Sequence, residues 1–194
     1  MKKTTSGLLA ALAALSVAGT AQAQLGPTTP FSVEVRGGAA LPQGDFGDGL
    51  DTGWGLGLNA SYNFTPMLAV YAGYSFNSFA VEDDGEEFDA DVNDRGFDAG
   101  LRAGFAPIGG FSPWVRGGLV FHEIEIEDND SGLSATTDSN LGFEVGGGLS
   151  FPLGPRISVT PGVSYTRYTI DDEDLEEDLD VSHLKIDIGL HIRI

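Results

Sequence analysis

Along most of this chain, apolar residues recur at every second position for about ten residues and then stop at a turn. "FSVEVRGGAAL" (31–41) places Phe31, Val33, Val35, Ala39 and Leu41 on one face, and "GWGLGLNASYNF" (53–64) does the same with Trp54, Leu56, Leu58, Ala60, Tyr62 and Phe64. Further segments follow with Val70, Ala72, Tyr74 and Phe76; Phe97, Ala99, Leu101, Ala103 and Phe105; and Val115, Leu119 and Phe121. The last three carry Leu141, Phe143, Val145, Leu149 and Phe151; Ile157, Val159, Val163 and Tyr165; and Leu184, Ile186, Ile188, Leu190, Ile192 and Ile194. A period of two predicts strands with one apolar face each, eight in all. In the fifth segment the parity shifts, with Ile124 and Ile126 following Phe121. Either a bulge or a strand running on into "EIEIEDND" accounts for that.

Alternation alone does not say whether the apolar face points in or out. The opposite face is rich in glycine, including Gly55, Gly57, Gly73, Gly100, Gly104, Gly118, Gly142, Gly146, Gly148, Gly162 and Gly189. Such a face suits the cramped interior of an eight-stranded barrel. Aromatic residues gather at segment ends, with Phe31, Phe64, Phe105 and Phe151 at one and Trp54, Phe97, Phe121, Phe143 and Tyr165 at the other. Two aromatic girdles around an aliphatic band are the signature of a membrane barrel, whereas a lipocalin-like barrel has no reason to sort aromatics by height. The expected fold class is therefore all-β, an eight-stranded antiparallel up-and-down transmembrane β-barrel. No stretch approaches the length of a transmembrane helix, so a closed barrel is the way such a chain crosses a bilayer.

Connection lengths orient it. "NFTPM" (63–67), "APIGGFS" (106–112) and "FPLGP" (151–155) are short and free of acid, while the connections near 42–52, 80–95, 122–140 and 170–181 are long. Short turns belong on the periplasmic side and long loops outside. At the N-terminus, Lys2 and Lys3 precede an apolar run from Leu8 to Ala18 and a small-x-small site at Ala21–Ala23. A signal peptide over 1–23 is expected, leaving a barrel domain over 24–194 and localisation in the outer membrane of a Gram-negative bacterium. The chain has no cysteine, which excludes disulfides, thiolate metal sites and lipoprotein anchoring.

Charge sharpens the orientation. The chain carries 29 acidic residues and 10 basic ones, for a formal net charge of −19. Nucleic-acid binding needs the opposite balance. Of the 29 acids, 25 fall in the four long connections, and the remaining four are Glu34, Asp98, Glu144 and Asp187 on the glycine-rich face. That face also bears Arg36, Arg102, Arg116, Lys185 and Arg193, so a nearly neutral lumenal network is expected, with Arg36 against Asp187 and Glu144 against Arg116. The competing reading of the same charges is a small pore or solute-binding barrel.

These residues resemble the small eight-stranded outer-membrane β-barrel family of the OmpA and OmpX type. The likeness lies in the first hairpin, "VEVRGGAALPQGDFGDG…GWGLGLNASYNF", and in a C-terminal assembly signal of Asp187, Gly189, Ile192 and Ile194. The departure is Ile194, where most members end in an aromatic residue. The resemblance implies contact with outer-membrane lipid, lipopolysaccharide and the barrel assembly machinery, and a monomer. It leaves function open.

Some members of that fold modify lipid A, which would require a histidine paired with a serine and an acid. His122, His183 and His191 have no serine partner evident in the sequence, so all three read as ordinary polar residues and no catalysis is expected. The loops offer Asp83, Asp84, Glu86, Asp128, Asp130, Asp171, Asp172 and Asp174 as candidates for weak binding of calcium or magnesium, without the spacing of an EF-hand. No cofactor and no specific metal site is expected. Leu175 and Leu179 suggest one helical turn within the fourth loop. A rim this acidic beside anionic lipopolysaccharide needs screening, by divalent cations or by salt at about 1 M, where the Debye length falls to about 3 Å. The expected role is structural or a surface interaction: membrane integrity, cation-mediated lipopolysaccharide contact, or adhesion to a surface ligand that the sequence does not name.

Overall fold

In the computed structural model, residues 30–81, 90–128, 134–170 and 179–194 are described. The expected signal peptide, and Asp83, Asp84, Glu86, Asp130, Asp171, Asp172, Asp174 and Leu175, lie outside these residues. Strand β1 (Phe31–Pro42) is followed by a 3₁₀ helix (Gly44–Gly47), then β2 (Gly53–Asn63), β3 (Leu68–Ala80), β4 (Ala90–Gly104) and β5 (Ser112–Asp128). A three-residue β6 (Ser134–Thr136), β7 (Asn140–Pro152), β8 (Ile157–Ile170) and β9 (Leu179–Arg193) complete the sheet. Neighbours pair in the order β4-β3-β2-β1-β9-β8-β7-β5-β6, and β4 also pairs with β5, which closes a ring of eight long antiparallel strands. Closure leaves no sheet edge exposed within the apolar band, where an unpaired backbone group would find no water.

The apolar face points outward. Phe97 is 67% exposed, Ile188 64% and Leu101 54%, whereas the inward Asp98 is 8% exposed and Asp187 3%. Neighbouring strands bring the girdle aromatics into contact. Tyr74 meets Phe97 at 5.2 Å and Trp54 meets Phe76 at 5.4 Å at one end; Phe31 meets Tyr62 at 5.3 Å and Phe111 meets Phe151 at 5.8 Å at the other. From Phe97 to Phe105 the chain advances about 26 Å at the usual strand rise. At a tilt of about 40° that covers about 20 Å of membrane normal, close to the height of an apolar band.

The short turns sit together at one end, the one expected to be periplasmic and referred to as the inner end. Thr65 Oγ1 accepts hydrogen bonds from the Leu68 and Met67 backbone N–H groups at 2.9 and 3.2 Å. Gly109 and Gly110 adopt φ of 59° and 104°, left-handed values that a side chain disfavours, and so let Ile108 and Phe111 bridge.

Above the outer girdle the strands run further than the sequence pattern suggests. β4 begins at Ala90, β5 continues to Asp128 and β9 begins at Leu179, so these residues leave the expected loops. Leu179 pairs with Ile170 as strand, which removes it from the expected helical turn. The parity shift in the fifth segment has no bulge on β5, because the β4–β5 register is unbroken from Gly104–Trp114 to Ala90–Asp128. The irregularity lies in the returning strand instead. His122 pairs with Asn140 but Glu125 pairs with Thr136, so one extra residue is accommodated in 137–139.

What changes on β5 is the environment. Below Phe121 the outside is lipid and the apolar residues face out. Above it the outside is water and the apolar residues face in. Phe79, Val92, Ile124, Ile170 and Val181 are buried there and form one cluster with Phe46 of the 3₁₀ helix and Tyr168. Arg95, Glu123 and Glu125 take the outward positions, and Arg95 pairs with the two glutamates at 2.9 and 2.8 Å. The outer mouth is thus packed like a small soluble core, and the membrane stub is its inverse.

Candidate functional site

The candidate site is the interior itself, built in layers from inward-facing positions of all eight long strands. The layer nearer the inner end is ionic. Arg36 on β1 donates to Asp187 on β9 at 2.7 Å across the seam between first and last strands, both side chains being fully buried. Glu34 accepts from Arg102 Nη1 at 3.0 Å and from the Thr160 hydroxyl at 2.6 Å. Arg116 pairs with Glu144, whose other oxygen accepts from the Tyr71 hydroxyl at 3.1 Å. The Trp114 ring lies beneath two guanidinium groups, at 4.4 Å from Arg102 and 5.5 Å from Arg36. Such stacking retains part of the charge stabilisation that burial removes.

Not every residue assigned to this network from the sequence takes part. Arg193 is exposed at the inner rim, where its side chain reaches the Pro155 carbonyl at 3.5 Å, because its inward position lies beyond the last packed layer. Lys185 donates to Asn77 Oδ1 at 3.3 Å. Among the described residues Asp98 meets no arginine, and it belongs to a second layer. Of the C-terminal residues, Asp187 is buried, and a Cβ on Gly189 would stand 2.3 Å from Thr160 Oγ1 and 3.0 Å from Glu34 Oε1. Ile192 and Ile194 face outward, and the Ile194 N–H bonds the Phe31 carbonyl at 3.0 Å.

The second layer lies at and just above the outer girdle. His122 lies on β5 and His183 on β9. Both are about 1% exposed and flank Asp94, which is fully buried. His122 Nδ1 stands 2.8 Å from Asp94 Oδ1, and its Nε2 stands 2.9 Å from Asp98 Oδ1 and 3.2 Å from Ser75 Oγ. Asp94 also accepts from the Tyr168 hydroxyl at 2.9 Å and from Asn77 Nδ2 at 3.1 Å. His183 Nδ1 approaches Asp94 at 3.6 Å, and its ring lies 5.8 Å from that of Phe79 in the apolar cap. His191 occupies the inner end of β9, opposite Glu34.

Asp94 falls within the expected second loop (80–95), but it lies on β4 and is buried. The missed signal is parity: Asp94 lies four residues before Asp98 and so shares its face, as His122 shares that of Val120 and Ile124. Ser75, His122 and Asp94 have the spacing of a nucleophile, base and orienting acid, the serine partner that sequence reading did not find. Their placement does not serve that chemistry. Asp98 holds the ring nitrogen that would activate the serine, and the trio lies inside the barrel beneath the apolar cap.

Among the described residues no cluster of three or more histidine, aspartate or glutamate side chains is arranged to hold a metal. Asp128 closes β5 opposite Ala90. On the outer surface, Arg167 pairs with Asp180 at 2.7 Å, and Thr169 donates to the same carboxylate at 2.8 Å. The Thr169 hydroxyl and the Arg167 guanidinium hold the Asp180 carboxyl below the ordinary carboxylate range.

Against known proteins, residues 8–191 match the profile of the outer membrane protein beta-barrel domain. Among solved structures, the chain is similar to Neisserial surface protein A with a TM-score of 0.65 and 14% identity, covering 87% of this chain and 100% of that one. It is also similar to the outer membrane protein OprG of Pseudomonas aeruginosa, with a TM-score of 0.51 and 17% identity over 88% of this chain and 99% of that one. At these identities the likeness is one of fold. A comparison with curated proteins found no match.

Proposed function

Because the chain belongs to the outer membrane protein beta-barrel domain family, we propose that it acts in the Gram-negative outer membrane as a structural and surface-interaction barrel. In this reading the lumen is a solid support and the acidic outer loops are the working surface. The observation that carries it is the packed interior. An ionic layer, a layer around Asp94 and an apolar cap succeed one another along the axis, each made of side chains that touch. An eight-stranded barrel is just wide enough to be filled in this way, which favours a plug over a pore.

The interaction we assign to the rim is cation-mediated contact with lipopolysaccharide, with carboxylates and lipid phosphates sharing divalent ions. Membrane integrity would follow from that contact, and adhesion is the other surface role open to the same loops. The reading is non-enzymatic, since the only triad-like arrangement described is the enclosed Ser75–His122–Asp94 set. It also takes the N-terminal 23 residues as an export signal, the barrel assembly machinery as the insertion partner and a monomer as the working form.

The test uses purified, folded protein in vesicles containing lipopolysaccharide, with magnesium or with EDTA. Replacing the carboxylates of 171–178 by amides should weaken magnesium-dependent association with lipopolysaccharide while leaving the barrel folded. Unchanged association in both conditions would remove the cation-bridging role. Stable conductance steps from the wild-type protein in planar bilayers would overturn the plug and revive the pore.

A further inference from the structure

The described interior holds five buried carboxylates: Glu34, Asp94, Asp98, Glu144 and Asp187. Facing them are four basic side chains, Arg36, Arg102, Arg116 and Lys185. The ionic layer accounts for three of the acids with three arginines. Asp94 and Asp98 remain, and the fourth basic side chain, Lys185 on β9, is bonded to Asn77. A buried carboxylate without a cation is among the costlier things a fold can contain.

The geometry at His122 supplies the missing charge. Both ring nitrogens point at carboxylate oxygens, at 2.8 and 2.9 Å. A neutral imidazole has one N–H and one bare nitrogen, so it would set a lone pair against one of those oxygens. Asp94 already accepts from Tyr168, Asn77 and His122, which uses its oxygens as acceptors and keeps it ionised. The remaining choice places one proton between His122 Nε2 and Asp98, and the imidazole is the stronger base of the two.

We propose that His122 is a buried imidazolium clasp, donating to Asp94 and Asp98 together, and that its proton keeps the outer mouth of the barrel closed. The clasp ties β4 to β5 and, through Asp94, to Tyr168 on β8 and Asn77 on β3. The groups packed around it are Ser75 and Asn77 from β3, Asp94 and Asp98 from β4, Tyr168 from β8, and His183 and Lys185 from β9; β7 contributes Glu144 and β5 contributes Arg116 one layer below. The 3₁₀ helix turns Phe46 inward, and its one charged residue, Asp45, is exposed. Lys185 and Tyr168 are common to the wild type and to Asp98→Asn, so a difference between the two proteins isolates the proton of the trio.

The sign follows from linkage. In the unfolded chain the histidine is neutral at pH 8, so folding takes up a proton there, and stability falls as pH rises towards the release of that proton. Above it, two carboxylates share the mouth with an uncharged ring. This rests on the geometry alone and is independent of the lipopolysaccharide reading.

The experiment is histidine-selective ¹⁵N NMR on the folded protein in micelles at pH 8, with His122→Gln to assign the signal. Two protonated ring nitrogens at His122 are expected; one bare nitrogen overturns the proposal. Urea unfolding rates from pH 7 to 9.5 provide a second readout. The wild-type rate should rise at least tenfold more over that range than the rate of Asp98→Asn, in which the ring has only one carboxylate to neutralise. Parallel pH profiles for the two proteins would also overturn it.

Discussion

Replacing Arg36 by methionine is the sharpest test of how the lumen is held together. The substitution keeps most of the side chain's volume and removes its charge, leaving Asp187 buried on the β1–β9 seam. Removing one partner of a buried ion pair costs about 3–5 kcal/mol. Here the contact is a single hydrogen bond of 2.7 Å, and Arg36 Nε, Arg36 Nη1 and Asp187 Oδ2 have no other partner among the described residues. The cost should therefore fall at the lower end, about 3 kcal/mol, to which loss of the Trp114 stacking adds about 0.5–1 kcal/mol. Combining Arg36→Met with Asp187→Leu removes both charges, and such exchanges are often neutral or better. The double variant should therefore be more stable than Arg36→Met alone by at least about 2 kcal/mol. Equilibrium urea unfolding in phospholipid vesicles, followed by tryptophan fluorescence and by the gel mobility of the folded form, measures all of them. A single variant within about 1 kcal/mol of wild type, or a double variant worse than either single one, would refute the argument that an unpaired charge is what the lumen cannot tolerate.

Four further outcomes are expected. Phe79→Ala should cost about 3–5 kcal/mol in the same assay, because the ring is fully buried against Phe46 at 5.5 Å and the mouth packs as a soluble core. Gly100→Ala should reduce the yield of folded, heat-modifiable protein: its Cβ would stand 2.3 Å from the Gly117 carbonyl oxygen and 2.6 Å from Gly118 Cα, and backbone cannot step aside. Asp180 lies on β9 outside the girdle. NMR titration should give its carboxyl a midpoint below the ordinary value of about 3.9, so its bond to Arg167 survives mild acid and is lost only as pH falls further. Asp180→Asn should leave urea stability at pH 7 unchanged, since the pair is open to solvent.

Much of this fold is legible in the chain because a membrane imposes a strict rule on each residue separately. Leu56, Leu58, Leu101 and Ile188 face lipid and Gly100, Gly104 and Gly118 face the interior, and the period of two records this without knowledge of any partner. The short acid-free turns at 64–67, 105–111 and 153–156 mark one side in the same local way. Arg36 and Asp187 could be matched because they belong to the first and last strands, which a barrel must join.

The second layer was illegible for a physical reason. Asp94, Asp98, Ser75, His122, Tyr168 and His183 come from five strands, and which inward side chains meet depends on the shear of the closed sheet. No property of a single strand carries that information. The acidic neighbours of Asp94 also disguised it as loop, because the rule relating polarity to face reverses where lipid gives way to water. Sequence alone thus determined the membrane-facing surface and gathered the short turns at one end of it. Only the tertiary structure decided how far the strands continue, what closes the outer mouth and which charges stand together, since those follow from register around a closed ring.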